Sequence, residues 1–252
     1  MGNVWSGDWK SADISWYTKN TSANTYILNT ADELAGLSKL FMGKNKVSFR
    51  NKSIRLGSDI VLNDTFDWKT WETNPPVNKW IPIGDVVCDD RGIGWYGFDG
   101  TFDGDGHTIS GMYIDSSMSI ADNVKLLYPN RSIQVSLGLF GVITKSVVNL
   151  KVTDSVVFQK SCGDSADARF DNHSMAGILG GFNGGNCRIE RCYVNGNVIC
   201  KSYQCVGGMV GWNHGKVKQC VFKGCVRRQR KSCDIVGGGV GNVFDCKWEY
   251  KD

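Results

Sequence analysis

Asp99, Asp103, Asp105 and His107 fall within nine residues of the stretch "FDGTFDGDGHTISGMYI", residues 98–114. Carboxylates and an imidazole at that density suit two chemistries. They could ligate calcium through oxygen, or supply the acid and base of a polysaccharide lyase or glycoside hydrolase. The calcium match is poor, because a loop begun at Asp103 and Asp105 places Ile114 where the twelfth-position carboxylate belongs. The Asp-Gly and Gly-His pairs also read as turns whose carboxylates cap backbone N–H groups.

Other reactive types are sparse. The chain has three histidines, His107, His173 and His214, and His214 reads as a solvated residue in a Gly-bounded turn. There is no H-E-x-x-H, G-x-S-x-G or C-x-x-C, and no glycine-rich loop opening a helix. No catalytic residue, metal ligand or cofactor is therefore assigned. Two stretches are better suited to binding. "VRRQRKS" (226–232) gathers Arg227, Arg228, Arg230 and Lys231, which could hold an anionic glycan or stand as a solvated charged turn. "DTFDWKTWETNPPVNKW" (64–80) carries Trp68 and Trp71 beside two prolines. Those rings could form a flat platform for sugar faces or fold back as core.

What positions such residues is a repeat. Gly138-Leu139-Phe140-Gly141, Gly177-Ile178-Leu179-Gly180, Gly208-Met209-Val210-Gly211 and Gly238-Gly239-Val240-Gly241 recur at 39, 31 and 30 residues. Downstream, Val147-x-x-Leu150, Ile189-x-x-Cys192, Val217-x-x-Cys220 and Val243-x-x-Cys246 keep step, as do Val156, Val198 and Val226. Cys162, Cys205 and Cys233 join them if one residue slips. A period near 30 means stacked units. The copies hold short Val- and Ile-rich runs and no helical spacing, which predicts an all-β fold, a parallel β-helix with one repeat per coil. The glycines suit corners that need positive φ or leave no room for a Cβ. Stacked cysteines then form an apolar column in the slot of Leu150, which favours buried thiols over disulfides. Upstream, Thr30-Ala31-Asp32-Glu33 is a capping box, and Leu34, Leu37, Leu40 and Phe41 line one helical face from Ala31 to Phe41. That helix is expected to cap the N-terminal end of the stack.

The organisation read from this is an N-terminal segment (1–24), a cap with irregular first coils and inserted loops (25–135), and repeat coils (136–252). Net charge of +4 is too mild to imply nucleic acid, and no apolar run spans a membrane. The opening Met1-Gly2-Asn3-Val4-Trp5 is no signal peptide, which leaves a trimmed chain or a soluble intracellular protein.

The order "TADELAGLSKL", "IRLGSDIVLN", "WIPIG", "GTFDGDGHTISGMYI", then G-x-x-G with I-x-x-C, resembles the GLUG-motif proteins over residues 25–252. The resemblance implies a right-handed parallel β-helix on an exported or cell-surface bacterial protein, often adhesin-like, and no single activity. Some members are attached to IgA-protease-type metallopeptidases, but the zinc motif is absent here. The functional expectation is a non-enzymatic binding module that recognises a polysaccharide or other surface ligand through Trp68, Trp71, Arg227, Arg228 and Arg230. A carbohydrate-active enzyme and a structural stalk are the alternatives. End-to-end self-association is a further possibility, since an open stack presents unpaired strand edges.

Overall fold

A computed structural model of the chain describes residues 4–42, 47–89, 92–115, 136–159, 175–200, 205–227 and 235–249. Arg228, Arg230, Lys231, His173, Cys162 and Cys233 lie outside the described residues, as does most of the 163–175 insertion.

The chain opens with a short helix α1 (Ser15–Thr18), strand β1 (Thr25–Leu28) and helix α2 (Ala31–Met42). The capping box forms as read: Thr30 Oγ1 accepts the Glu33 N–H at 3.2 Å, while the Glu33 carboxylate accepts the Thr30 N–H at 3.0 Å. Leu34, Leu37 and Phe41 are buried, with the Phe41 ring 6.0 Å from Phe49. Ser38 donates from Oγ to the Ile81 carbonyl at 2.8 Å, tying α2 to a distant segment.

Then follow β2 (Ser53–Leu56), β3 (Ile60–Val61), a 3-10 turn at Trp68–Thr70, and the antiparallel hairpin β4 (Asp85–Asp89) and β5 (Gly92–Tyr96). Next come β6 (Thr101–Asp103), β7 (Thr108–Ser110) and β8 (Tyr113–Asp115). From here each of the first three copies of the repeat contributes four strands. The first gives β9 (Ser136–Leu137), β10 (Phe140–Ile143), β11 (Ser146–Val148) and β12 (Lys151–Gln159). The second gives β13 (Met175–Ala176), β14 (Gly180–Asn183), β15 (Arg188–Glu190) and β16 (Tyr193–Cys200). The third gives β17 (Cys205–Val206), β18 (Val210–Asn213), β19 (Lys216–Lys218) and β20 (Val221–Arg227). β21 (Asn242–Phe244) and β22 (Lys247–Glu249) close the series.

Equivalent strands pair in parallel. One sheet runs β1-β2-β6-β11-β15-β19-β21, and another runs β3-β7-β12-β16-β20-β22 with β8 also on β12. Two short sheets are β10-β14-β18 and β9-β13-β17. The protein is thus all-β in character, with parallel sheets throughout the repeat. Alternation explains the strands: Tyr26, Ile54, Phe102, Val147, Ile189 and Val217 occupy one register column and are all buried. Val243 ends that column 44% exposed.

Two details differ from the sequence reading. The register pairs Gly180 with Val210, so the second and third glycine words are offset by one residue from their alignment as text. More consequentially, Val198 stacks on Val226 but its other neighbour is Val157, not Val156. A bulge between Val152 and Ser155, with Asp154 at φ 50°, inserts one residue into β12 and turns Val156 to the other face. The glycines of the repeat differ in a third respect. A Cβ on Gly138 would lie 2.6 Å from the Gly177 carbonyl oxygen, and one on Gly177 would lie 2.5 Å from that of Met209. Close approach is what these positions require. Positive φ is instead taken by the residue before each Leu150 or Cys slot: Asn149, Arg191, Gln219 and Asp245, at 53°, 52°, 52° and 50°.

In that slot Leu150, Cys192 and Cys220 are buried and Cys246 is half-buried. The Cys192 N–H donates to Cys220 Sγ, and the Cys220 N–H to Cys246 Sγ, each at 3.4 Å. The thiols in turn reach carbonyl oxygens, Cys220 that of Lys218 at 3.2 Å.

Candidate functional site

The acidic cluster resolves into separate structural tasks. Asp99 accepts hydrogen bonds from Ser48 Oγ and the Phe49 N–H and holds that segment in place. Asp103 accepts the Asp105 N–H and the Asn149 amide, both at 2.9 Å. Asp105 pairs with Arg55, and His107 Nδ1 lies 3.2 Å from Asp59. The Thr108 N–H bond to Asp59 is the main cause that lowers the pKa of that carboxylate. These groups brace turns between neighbouring strands, as the turn reading anticipated. Among the described residues no three His, Cys, Asp or Glu side chains group as metal ligands.

The tryptophan insertion requires a correction. Trp71 is 1% exposed, its ring centroid 5.9 Å from that of Tyr113, and it shares a small cluster with Tyr113 and the bulged-out Val156. Trp68 packs half-buried against the same cluster. The cause is the β12 bulge, which turns an apolar residue outward that must be covered. The loop covers it, and Trp71 has no face left for a platform, while Trp68 stays half-buried beside it. Arg227 is held by the same loop through a 2.7 Å bond to Glu72. The insertion and Arg227 are therefore brought together, but as an anchored flap. Burial pushes the Tyr113 phenol far above its usual range.

A different aromatic surface stands on the outer face of the short β10-β14-β18 sheet. Val142, Phe182 and Trp212 occupy one register column on these strands. The β4–β5 hairpin brings Trp95 onto Phe182, with ring centroids 4.5 Å apart. His214 lies 5.5 Å from Phe182 and 5.8 Å from Trp212, and the Trp212 indole N–H donates to His214 Nε2 at 2.6 Å. Trp95, Phe182, His214 and Trp212 thus form a continuous strip. Trp95 is 41% exposed, His214 is exposed, and Phe182 and Trp212 are half-buried. Beneath the strip Val142, Met175 and Cys205 are buried and fix its floor. Alongside, the buried Asn183 amide donates to Asn213 Oδ1 at 2.7 Å, and Asn213 also accepts the Gly215 N–H, stiffening the corner that carries His214. The sequence held a signal for this strip: Val142, Phe182 and Trp212 each follow a glycine word, and the slot turns aromatic along the repeat. Trp95 carried no such signal, because it arrives on an inserted hairpin.

No family model matches the chain, and no curated protein matches it. A solved structure from Bacteroides ovatus, described provisionally as an immunoglobulin A1 protease, is similar over 89% of this chain and 75% of its own, with 17% identity and a TM-score of 0.42. Among the described residues no helix is long and apolar enough to cross a membrane.

Proposed function

We propose that the protein is a non-enzymatic binding module that holds a polysaccharide along the Trp95–Phe182–His214–Trp212 strip. The parallel strands are read as coils of a right-handed β-helix, the hand that parallel crossovers adopt, with α2 as its N-terminal cap. On the resemblance to GLUG-motif proteins the chain belongs outside the cell or on its surface. The single observation carrying the binding reading is a row of rings on an outer face, one position in successive strands turning from Val to Phe to Trp. Inner positions are explained by the core, whereas a half-exposed aromatic row invites a flat, partly apolar ligand. Sugar rings present C–H faces to such rings, and the rigid indole loses little entropy on binding. The carboxylates near residue 100 are occupied with turns, which favours holding a glycan over cleaving it.

Affinity electrophoresis through gels containing soluble polysaccharides tests the reading. Trp212→Ala and Trp95→Ala should each restore free migration in the gel that retards the parent chain, with melting temperatures within a few degrees of it. Retardation unchanged by both substitutions would defeat the strip. Release of reducing ends from the polysaccharide would replace binding with hydrolysis or lysis.

A further inference from the structure

The strip does not end at an inert border. The chain turns a corner at Gly184–Cys187 and at His214–Gly215, then enters β15 and β19, where the outward side chains change character. Arg188 and Lys216 are direct register partners on these parallel strands, both exposed. Neighbouring strands lie only about 4.8 Å apart, and like charges so placed destabilise a sheet. Lys145 stands exposed one strand earlier, its carbonyl accepting the Arg188 N–H at 2.9 Å. Lys218 is exposed on β19, and Arg191 projects from the positive-φ corner after β15. On β11, β15, β19 and their corners the acid among the described residues is Glu190, engaged by Arg188 at 3.7 Å and by Arg191. Lys145, Lys216 and Lys218 make no ion pair among the described residues. One column of this face sets Arg188 on Lys216 while the next sets Glu190 on Lys218, so the face keeps a surplus of cations that an anion from outside the chain would relieve.

Resting on the binding reading above, we propose that the ligand is an acidic polysaccharide, a linear chain bearing carboxylates. It lies with its sugar faces on Phe182 and Trp212 and its carboxylates toward Arg188 and Lys216. Lys216 follows Trp212 by four residues across the stiff Asn213 corner, so a single sugar chain can meet both surfaces. Single-stranded nucleic acid also combines stacking with charge. It fits less well here, because the strip rings sit 4.5 to 5.8 Å from one another at mutual tilts of 46° to 66°, leaving no slot for a base between them. A short cationic patch also neutralises few phosphates.

The test uses polygalacturonate and its fully methyl-esterified form, which keeps the backbone and removes the charge, with an oligo-dT of matched length as the third probe. Binding to the acid form should be at least about tenfold tighter than to the ester, and should weaken as salt rises. The double substitution Arg188→Glu with Lys216→Glu should erase that difference while leaving binding to the ester unchanged, and Arg188→Lys should retain it. Equal affinity for acid and ester, with Trp212→Ala still abolishing both, overturns the acidic preference while the strip reading stands. If Trp212→Ala leaves binding intact, the strip itself has failed. Oligo-dT bound more tightly than the acid form would assign the surface to nucleic acid and overturn the proposal.

Discussion

Trp71 and Trp212 share a side chain and differ in everything around it. Trp71 is enclosed by Tyr113, Val156 and Trp68, and its indole N–H is satisfied by Asp67 Oδ1 at 3.2 Å. Truncating a buried tryptophan costs about 3–5 kcal/mol, so Trp71→Ala should lower the denaturation midpoint markedly where Trp212→Ala barely moves it. The thiols yield a second prediction. Burial pushes the Cys187 pKa up to about 11, and it also raises Cys246. For Cys220 the neighbouring Cys192 side chain and burial both raise it. A raised folded pKa means that the unfolded chain gives up its protons first. The stabilisation is therefore complete below an unfolded thiol pKa near 9 and lost as pH rises toward about 11. Urea titrations from pH 8 to 11 should show stability falling across that window, and Cys187→Ala with Cys220→Val should flatten the slope. The residue types of the cysteine column were legible because Leu150 shares their slot. The fate of Trp71 was not, since nothing in "DWKTW" announces that a bulge elsewhere has turned Val156 outward.

Among the elements, the corner after β11, β15, β19 and β21 is the most regular device. Asn149, Arg191, Gln219 and Asp245 all adopt the left-handed conformation, which costs an L residue roughly 1–2 kcal/mol. Gln219 is exposed, so replacing it should disturb little beyond the backbone. Gln219→Gly should stabilise by about 0.5–1 kcal/mol once the freer unfolded chain is allowed for, and Gln219→Val should destabilise by about 1–2 kcal/mol. Chemical denaturation of the three chains decides the order. The helix and most strands were readable in the sequence because capping chemistry and inward alternation are local. The β12 bulge was not, because Asp154 differs from its neighbours only in a backbone angle that register imposes.

At the scale of the whole molecule, strand-on-strand pairing makes stability depend on position along the series. Val217 is fully buried with partners on both sides, whereas Val243 stands on the outermost strand of its sheet and is 44% exposed. Val217→Ala should cost about 2 kcal/mol and Val243→Ala well under 1 kcal/mol. Amide exchange should protect β15 and β19 while β21 exchanges first. Equal protection across those strands would contradict this gradient. The repeat in the sequence announced the stacking. The aromatic strip was less visible, because it is assembled from one slot in two copies and a ring delivered by the inserted hairpin.

That hairpin also sets a clock. β4 and β5 pair antiparallel and lie only two residues apart in the sequence, so their contact can form within microseconds. Every parallel pairing between the copies must first close a segment of many residues, which is slow. Trp95 is therefore in place on its own strand long before Phe182 arrives with the second copy to receive it. During refolding, the change in tryptophan fluorescence that reports this contact should trail the hairpin by orders of magnitude in time. On the proposed function, ligand capture should appear only with that late phase, so that a nascent chain stalled before β14 binds no polysaccharide.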